Sequence, residues 1–185
     1  GLHRRAGTTH TSIQLAVLLK RNGLRTALVE YRTEKDGTSD LVWIKPTEGQ
    51  KDNHFVVEGI DVYPDCLQVS EVLSRGYDAV VLDAGTLDTP TALEEWRRAS
   101  VRVMTLGAAP WDIGRQKLST FANDQASIVI NFASQDMFET VFDLLKHHGK
   151  TIVHNRSGYD PFSPDMSLAS IISTFLPEKR RRKIF

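Results

Sequence analysis

The 185-residue sequence predicts an α/β domain built on a doubly wound, mainly parallel sheet with helices on both faces. Strand-type and helix-type segments alternate throughout the second half of the chain, the pattern of a parallel sheet with crossover helices. Tyr77–Asp83 (YDAVVLD) is an unbroken apolar run ending in a carboxylate, as a strand buried on both faces requires. A short Gly-containing stretch at the start leads directly into a helical pattern.

In chain order, Thr9 to Asn22 carries Ile13, Ala16, Val17 and Leu19 at helical spacings, with Lys20, Arg21 and Gly23 as stop signals. Thr26–Tyr31 (TALVEY) is a compact strand-type run. Residues 32–53 are polar and punctuated by Gly and Pro around Leu41-Val42-Trp43-Ile44, which predicts an irregular excursion or an edge hairpin. Val56, Val57, Ile60 and Val62 mark a further strand region, and Leu67–Leu73 a short helix. Beyond Asp83 the reading is helix Thr91–Ala99, strand Val101–Leu106, helix Asp112–Phe121 and strand Ser127–Asn131. Helix Gln135–His148 ends before Gly149, and strand Thr151–His154 and helix Ser167–Phe175 close the series. No internal repeat is evident, and the length suits one domain over residues 1–185.

Composition excludes several function classes. Lys plus Arg and Asp plus Glu are equal at 23 each, so there is no global electrostatic case for nucleic acid. The charge is uneven locally: Lys179, Arg180, Arg181, Arg182 and Lys183 precede Ile184 and Phe185. That run reads as a solvated end, or as a contact for anionic lipid or an acidic partner. Cys66 is the one cysteine, which leaves no internal disulfide and no Cys-rich zinc site. Neither a membrane-spanning run nor a secretory leader is seen, so a cytoplasmic location is expected. His3, His10 and the pair His147-His148 lack metal-ligand spacing, and no Gly-x-Ser-x-Gly elbow occurs. Trp43, Trp96 and Trp111 read as core or interface residues.

The segment Gly1-Leu2-His3-Arg4-Arg5-Ala6-Gly7-Thr8-Thr9-His10 has the outline of a phosphate-binding loop entering a helix. In G-x-x-x-x-G-K-[ST] the glycines bring backbone N–H groups around phosphate, the lysine neutralises charge, and the hydroxyl holds magnesium. Gly7 matches the last glycine and Thr9 the magnesium-binding hydroxyl, while Thr8 stands at the lysine position. A plain Gly turn entering a helix accounts for the same residues.

The order of later segments adds a resemblance. The loop, its helix, the strand ending at Glu30 and the strand ending Asp83-Ala84-Gly85 follow the order of ParA/MinD-type ATPases, including pilus-assembly proteins of the CpaE/TadZ type. The resemblance spans nearly the whole chain and is carried by short motifs. In that family the loop reads K-G-G-x-G-K-[ST]-[ST]; here His3 and Thr8 replace both lysines, and Arg4 and Arg5 replace both paired glycines. The resemblance implies that Arg4, Arg5, Gly7, Thr8, Thr9, Asp83 and Asn131 surround ATP or ADP, with magnesium at Thr9 and Asp83. It further implies that Glu30 helps position magnesium or water, that Asn131 reads the adenine edge, and that the Asp160–Asp165 loop lies near the base. Turn-forming or surface roles for Asp83, Glu30 and Asn131 stay open beside these.

Loss of an ammonium beside a transferring phosphoryl group costs roughly 3–4 kcal/mol in barrier. Arginine in place of glycine is expected to alter the loop's path, because arginine does not readily take positive φ. The leading expectation is therefore a non-hydrolysing protein that acts as scaffold or regulator in a larger cytoplasmic assembly, such as a secretion, pilus or conjugation machine. A homodimer is one of the assemblies open to it. An ATPase with an altered loop and a ligand-free interaction module are the alternatives. A strand leading into the loop is also expected, supplied by residues upstream of Gly1 or by another chain.

Overall fold

The computed structural model describes residues 1, 5–31, 39–46, 48–51, 53–66, 68–107, 126–147, 151–156, 158–173 and 176. Helix α1 (Thr8–Arg21) comes first and is buried at nine consecutive residues, Thr11–Leu19. A helix apolar on all sides must be enclosed by protein. It stops where the sequence says it should. The amide of Asn22 reaches the Leu18 and Leu19 carbonyls (both 3.1 Å), and Gly23, at φ +77°, donates to Lys20 O (2.9 Å).

Five strands form the first sheet: β1 (Thr26–Tyr31), β2 (Glu48–Lys51), β3 (His54–Val57), β4 (Ile60–Cys66) and β5 (Ala79–Asp83), in the order β2-β3-β4-β1-β5. β1 runs parallel to both β4 and β5, while β2, β3 and β4 form an antiparallel edge. A second sheet holds β6 (Val103–Gly107), β7 (Ser127–Asn131) and β8 (Thr151–Asn155), all parallel. β5 and β6 are not hydrogen-bonded to each other. Gly1 lies beside the C-terminal end of β5, donating to Gly85 O and accepting from Leu87 N (3.3 Å).

Alternation along the strands sends side chains to opposite faces. On one face, Ile13, Ala16 and Val17 of α1 pack with Leu28, Phe55, Val57 and Val62 of the first sheet. Leu15, Leu18 and Leu19 pack with Val129 and Val153 of the second, together with α5 (Ala169–Ile172). α1 therefore bridges the two sheets. On the opposite face, Ala27 and Val29 meet Val72 of α2 (Val69–Leu73). Ile128 and Ile130 there pack with Trp96 of α3 (Pro90–Arg98) and with Val141 and Leu145 of α4 (Gln135–Leu145). The doubly wound α/β architecture is present, with helices on both faces.

Most of the sequence-based elements occur within two or three residues of their expected bounds. The last helix is shorter, a 3-10 turn at Met166–Leu168 running into α5. The segment around Leu41-Val42-Trp43-Ile44 folds as a 3-10 turn, Asp40–Trp43, followed by the edge strand β2. Ser39 caps that turn, its Oγ accepting from Leu41 N (3.1 Å). The helix expected over Asp112–Phe121, Trp111, and the basic run Lys179–Lys183 lie outside the described residues. Among the described residues, no helix is long and apolar enough to cross a membrane.

The 3-10 turn offers a direct check. Leu41 is 0% exposed whereas Trp43 is 80% exposed. Leu41→Ala should cost about 2–5 kcal/mol of stability by urea unfolding. Trp43→Ala should stay within about 0.5 kcal/mol.

Candidate functional site

Strand register sets a row of polar residues level with one another at the C-terminal edge of the sheets. Glu30 pairs with Asp83 across β1 and β5. Gly107, Asn131 and Asn155 pair in sequence across β6, β7 and β8. Glu30, Asp83, Asn131 and Asn155 are all buried. Ligands in open α/β sheets bind outside this edge, and the N-terminus of α1 opens onto the same edge.

Gly7 is the N-cap of α1 at φ 78°, ψ 28°. A Cβ there would stand 2.7 Å from Asn131 Nδ2 and 2.9 Å from Phe132 Cε2, so both conformation and space demand glycine. No side chain caps the helix and no acidic residue lies in its first turn. The positive end of its dipole faces this edge, which favours an anion there.

Thr8, at the lysine position, has its hydroxyl 2.9 Å from that of Thr105 on β6. Arg5 is exposed and sits at φ +64°, so here arginine does occupy the left-handed region, against expectation. Intrinsic preference disfavours that conformation by about 1–2 kcal/mol. His3 and Arg4 lie outside the described residues. Among the described residues four non-Gly residues take positive φ: Glu58 in the tight β3–β4 turn, Arg5 in the loop, Asp65 in β4 and Phe132 just after β7.

Asp83 is 2% exposed. Its Oδ1 accepts from Gly85 N (3.0 Å), and its Oδ2 is buried without a hydrogen bond among the described residues. Burial pushes its pKa up; the nearby Thr9 hydroxyl and the Gly85 amide pull it back, and the charge of Glu30 adds to the rise. An orphaned carboxylate oxygen beside a hydroxyl fits magnesium, which takes one or two protein oxygens and otherwise water and phosphate. Among the described residues no group of three or more His, Cys, Asp or Glu could hold a metal unaided.

Glu30 is engaged differently. Its carboxylate accepts from the Ser39 hydroxyl, Asp40 N (3.0 Å) and Asp65 N (3.3 Å), clamping the 3-10 turn and the end of β4 to β1. Asn131 is fully buried and faces the loop from below: its Nδ2 donates to Ala6 O (2.8 Å) and reaches Gly7 O (3.4 Å). Phe132 meets the His10 ring at 5.3 Å. Burial lowers the His10 pKa, while the charge of Asp160 raises it. Arg21 ties the Asp160–Asp165 loop down through Phe162 O (3.1 Å). His147 is exposed beyond α4, as a helix-end histidine should be.

Sequence reasoning missed Thr11, Gln14, Thr105 and Asn155. One signal was available: β7 and β8 end alike, in Ile128-Val129-Ile130-Asn131 and Ile152-Val153-His154-Asn155.

Two substitutions probe the strain and the desolvated charge. Arg5→Gly should stabilise the fold by about 1 kcal/mol in denaturant unfolding, since it relieves the left-handed strain at some entropic cost. For Asp83 the folded-state pKa is the raised one, so ionisation costs stability as pH rises above the ordinary carboxylate range. Asp83→Asn should therefore raise stability at pH 7 by about 1–3 kcal/mol. That gain should fade as pH is lowered toward about 4.

No family model matches the sequence, and no curated protein does. Solved structures do match in three dimensions. A plasmid partition protein from Borrelia burgdorferi is 16% identical with a TM-score of 0.63, covering 95% of this chain and 96% of that one. MinD in the MinC:MinD cell division complex of Aquifex aeolicus is represented by a match at 12% identity and TM-score 0.60, covering 100% and 90%. The septum site-determining protein MinD of Pyrococcus horikoshii, complexed with Mg-ADP, gives 11% identity and TM-score 0.52, covering 97% and 88%. At such identities the likeness establishes architecture: this chain has the P-loop α/β fold of ParA/MinD-type proteins.

Proposed function

We propose that this chain is a degenerate ParA/MinD-like P-loop protein that binds ATP or ADP with magnesium and does not hydrolyse it. The observation that carries this reading is the pairing of an intact magnesium corner with a loop that lacks its cation. Asp83 keeps a buried, unpartnered oxygen beside Thr9. At the lysine position, Thr8 spends its hydroxyl on Thr105. Backbone amides at the start of α1 would hold the phosphates, and Thr9 and Asp83 would hold magnesium, Asp83 through water. Magnesium, when bound, supplies positive charge to the phosphate oxygens. Neither family lysine is present, since His3 and Thr8 stand in their places, and one such missing contact is worth roughly 3–4 kcal/mol of barrier.

The proposed role is that of a scaffold or regulator in a cytoplasmic protein assembly, of the pilus, secretion or conjugation kind. Exposed Val42 and Trp43 support a protein-contact role, since Leu41 and Glu30 hold their turn rigidly at the edge that carries the site. The MinC:MinD complex provides a precedent for partner binding in a protein of this fold.

Calorimetric titration with ATP, with and without magnesium, paired with a phosphate-release assay, tests the reading. The expected outcome is magnesium-dependent binding that Asp83→Ala reduces tenfold or more, with release at the level of a buffer blank. Release well above the blank and abolished by Asp83→Ala would make the protein an ATPase instead. Absence of binding at any magnesium concentration would leave an interaction module.

A further inference from the structure

At the floor of the loop lies a network of buried amides and a hydroxyl, in which Gln14 Nε2 is buried without a partner among the described residues. Asn131 Nδ2 donates to Ala6 O (2.8 Å), lies 3.0 Å from Thr11 Oγ1, and reaches Gly7 O (3.4 Å). Asn131 Oδ1 accepts from Asn155 Nδ2 (2.7 Å) and from the Thr11 hydroxyl (3.1 Å). Asn155 Nδ2 also donates to Gln14 Oε1 (2.7 Å). Asn131 and Gln14 are 0% exposed and Asn155 2%.

The chemistry leaves one orientation for the Asn131 amide, because carbonyl oxygens of Ala6 and Gly7 accept only from its NH2 end. Its two N–H groups and two lone pairs are then all committed within the protein. An amide so occupied and so buried has no hydrogen-bonding capacity left for a ligand. What it does touch is the backbone of the loop itself. By drawing the Ala6 and Gly7 carbonyls downward, it turns the following amides of the loop outward, toward the open edge where an anion would sit.

We infer that Asn131 is a positioning residue for the anion-binding loop, acting through the Ala6 and Gly7 carbonyls, and that it does not contact a nucleotide base. Asn155 orients Asn131, and Gln14 anchors Asn155 to α1, so the ends of β7 and β8 hold the loop in shape together. The same network fills the space beneath Gly7, where a Cβ would strike the Asn131 amide. The inference rests on reading the Gly7 loop as a phosphate-binding loop, and the test separates the two.

Asn131→Asp keeps the shape and removes the donor; Asn131→Ala serves if the buried carboxylate prevents folding. Each is titrated in magnesium buffer with ATP, GTP and inorganic tripolyphosphate. Amide hydrogen exchange of Thr8–Thr11 is measured on the free protein alongside. A positioning role requires that ATP and tripolyphosphate weaken by the same factor, about tenfold or more, with the ATP-to-GTP ratio unchanged. Exchange at Thr8–Thr11 should accelerate at least tenfold while α4 stays as in the unmodified protein. Unchanged tripolyphosphate affinity with a collapsed ATP-to-GTP ratio would overturn the inference in favour of base contact. Unchanged exchange at Thr8–Thr11 would also overturn it. If the unmodified protein binds neither ATP nor tripolyphosphate, the phosphate-loop reading fails, and the exchange measurement alone decides whether Asn131 holds the loop.

Discussion

Everything at the candidate site depends on the enclosure of helix α1. Its buried stretch, Thr11–Leu19, packs one side against the first sheet and the other against the second, so two separate hydrogen-bonded ladders share one helix. A helix held along nine residues cannot slide or rotate without opening both cores, because interiors are packed as densely as organic crystals. Its N-terminus is consequently presented at a fixed height relative to the strand ends. Gly7, Thr9, Asp83 and Asn131 meet there as a result of that packing.

The two carboxylates on the edge show how location decides role. Glu30 and Asp83 are register partners on adjacent parallel strands, yet their surroundings differ. Glu30 is saturated by a hydroxyl and two amides, as buried carboxylates with structural duties are. Asp83 keeps an oxygen with no donor among the described residues, which costs stability.

Comparison of individual residues shows how far the linear sequence reaches. The run Tyr77–Asp83 announced a fully buried parallel strand with a carboxylate at its end; β5 is parallel to β1 and ends in the buried Asp83, but Ala79–Leu82 are only half-buried because it is the last strand of the first sheet. Strand Ser127–Asn131 agrees to the residue. The stretch around Leu41-Val42-Trp43-Ile44, read as an irregular excursion or an edge hairpin, is a 3-10 turn leading into the β2–β3 edge hairpin, and only the side-chain cap of that turn was beyond local pattern. Ser39 and a carboxylate nine positions upstream converted that run into a 3-10 turn with one residue buried and the next two exposed. Arg5 did mislead: it sits at φ +64° despite its intrinsic aversion to positive φ.

By itself the sequence determined the fold class and the ends of the strands that finish at Asp83 and Asn131. Those follow from local periodicity, turn chemistry and the burial of apolar runs, all of which are encoded within a few neighbouring positions. Tertiary structure alone decided what the strand-end residues do. Asn131 and Asn155 lie 24 positions apart, and Gln14 lies 141 from Asn155, so no local pattern joins them. Their amides meet because parallel register levels β7 with β8 and because α1 crosses beneath both. Hydrogen-bond capacity is a finite quantity set by whichever groups arrive within 3 Å, and that is known only once the chain has folded.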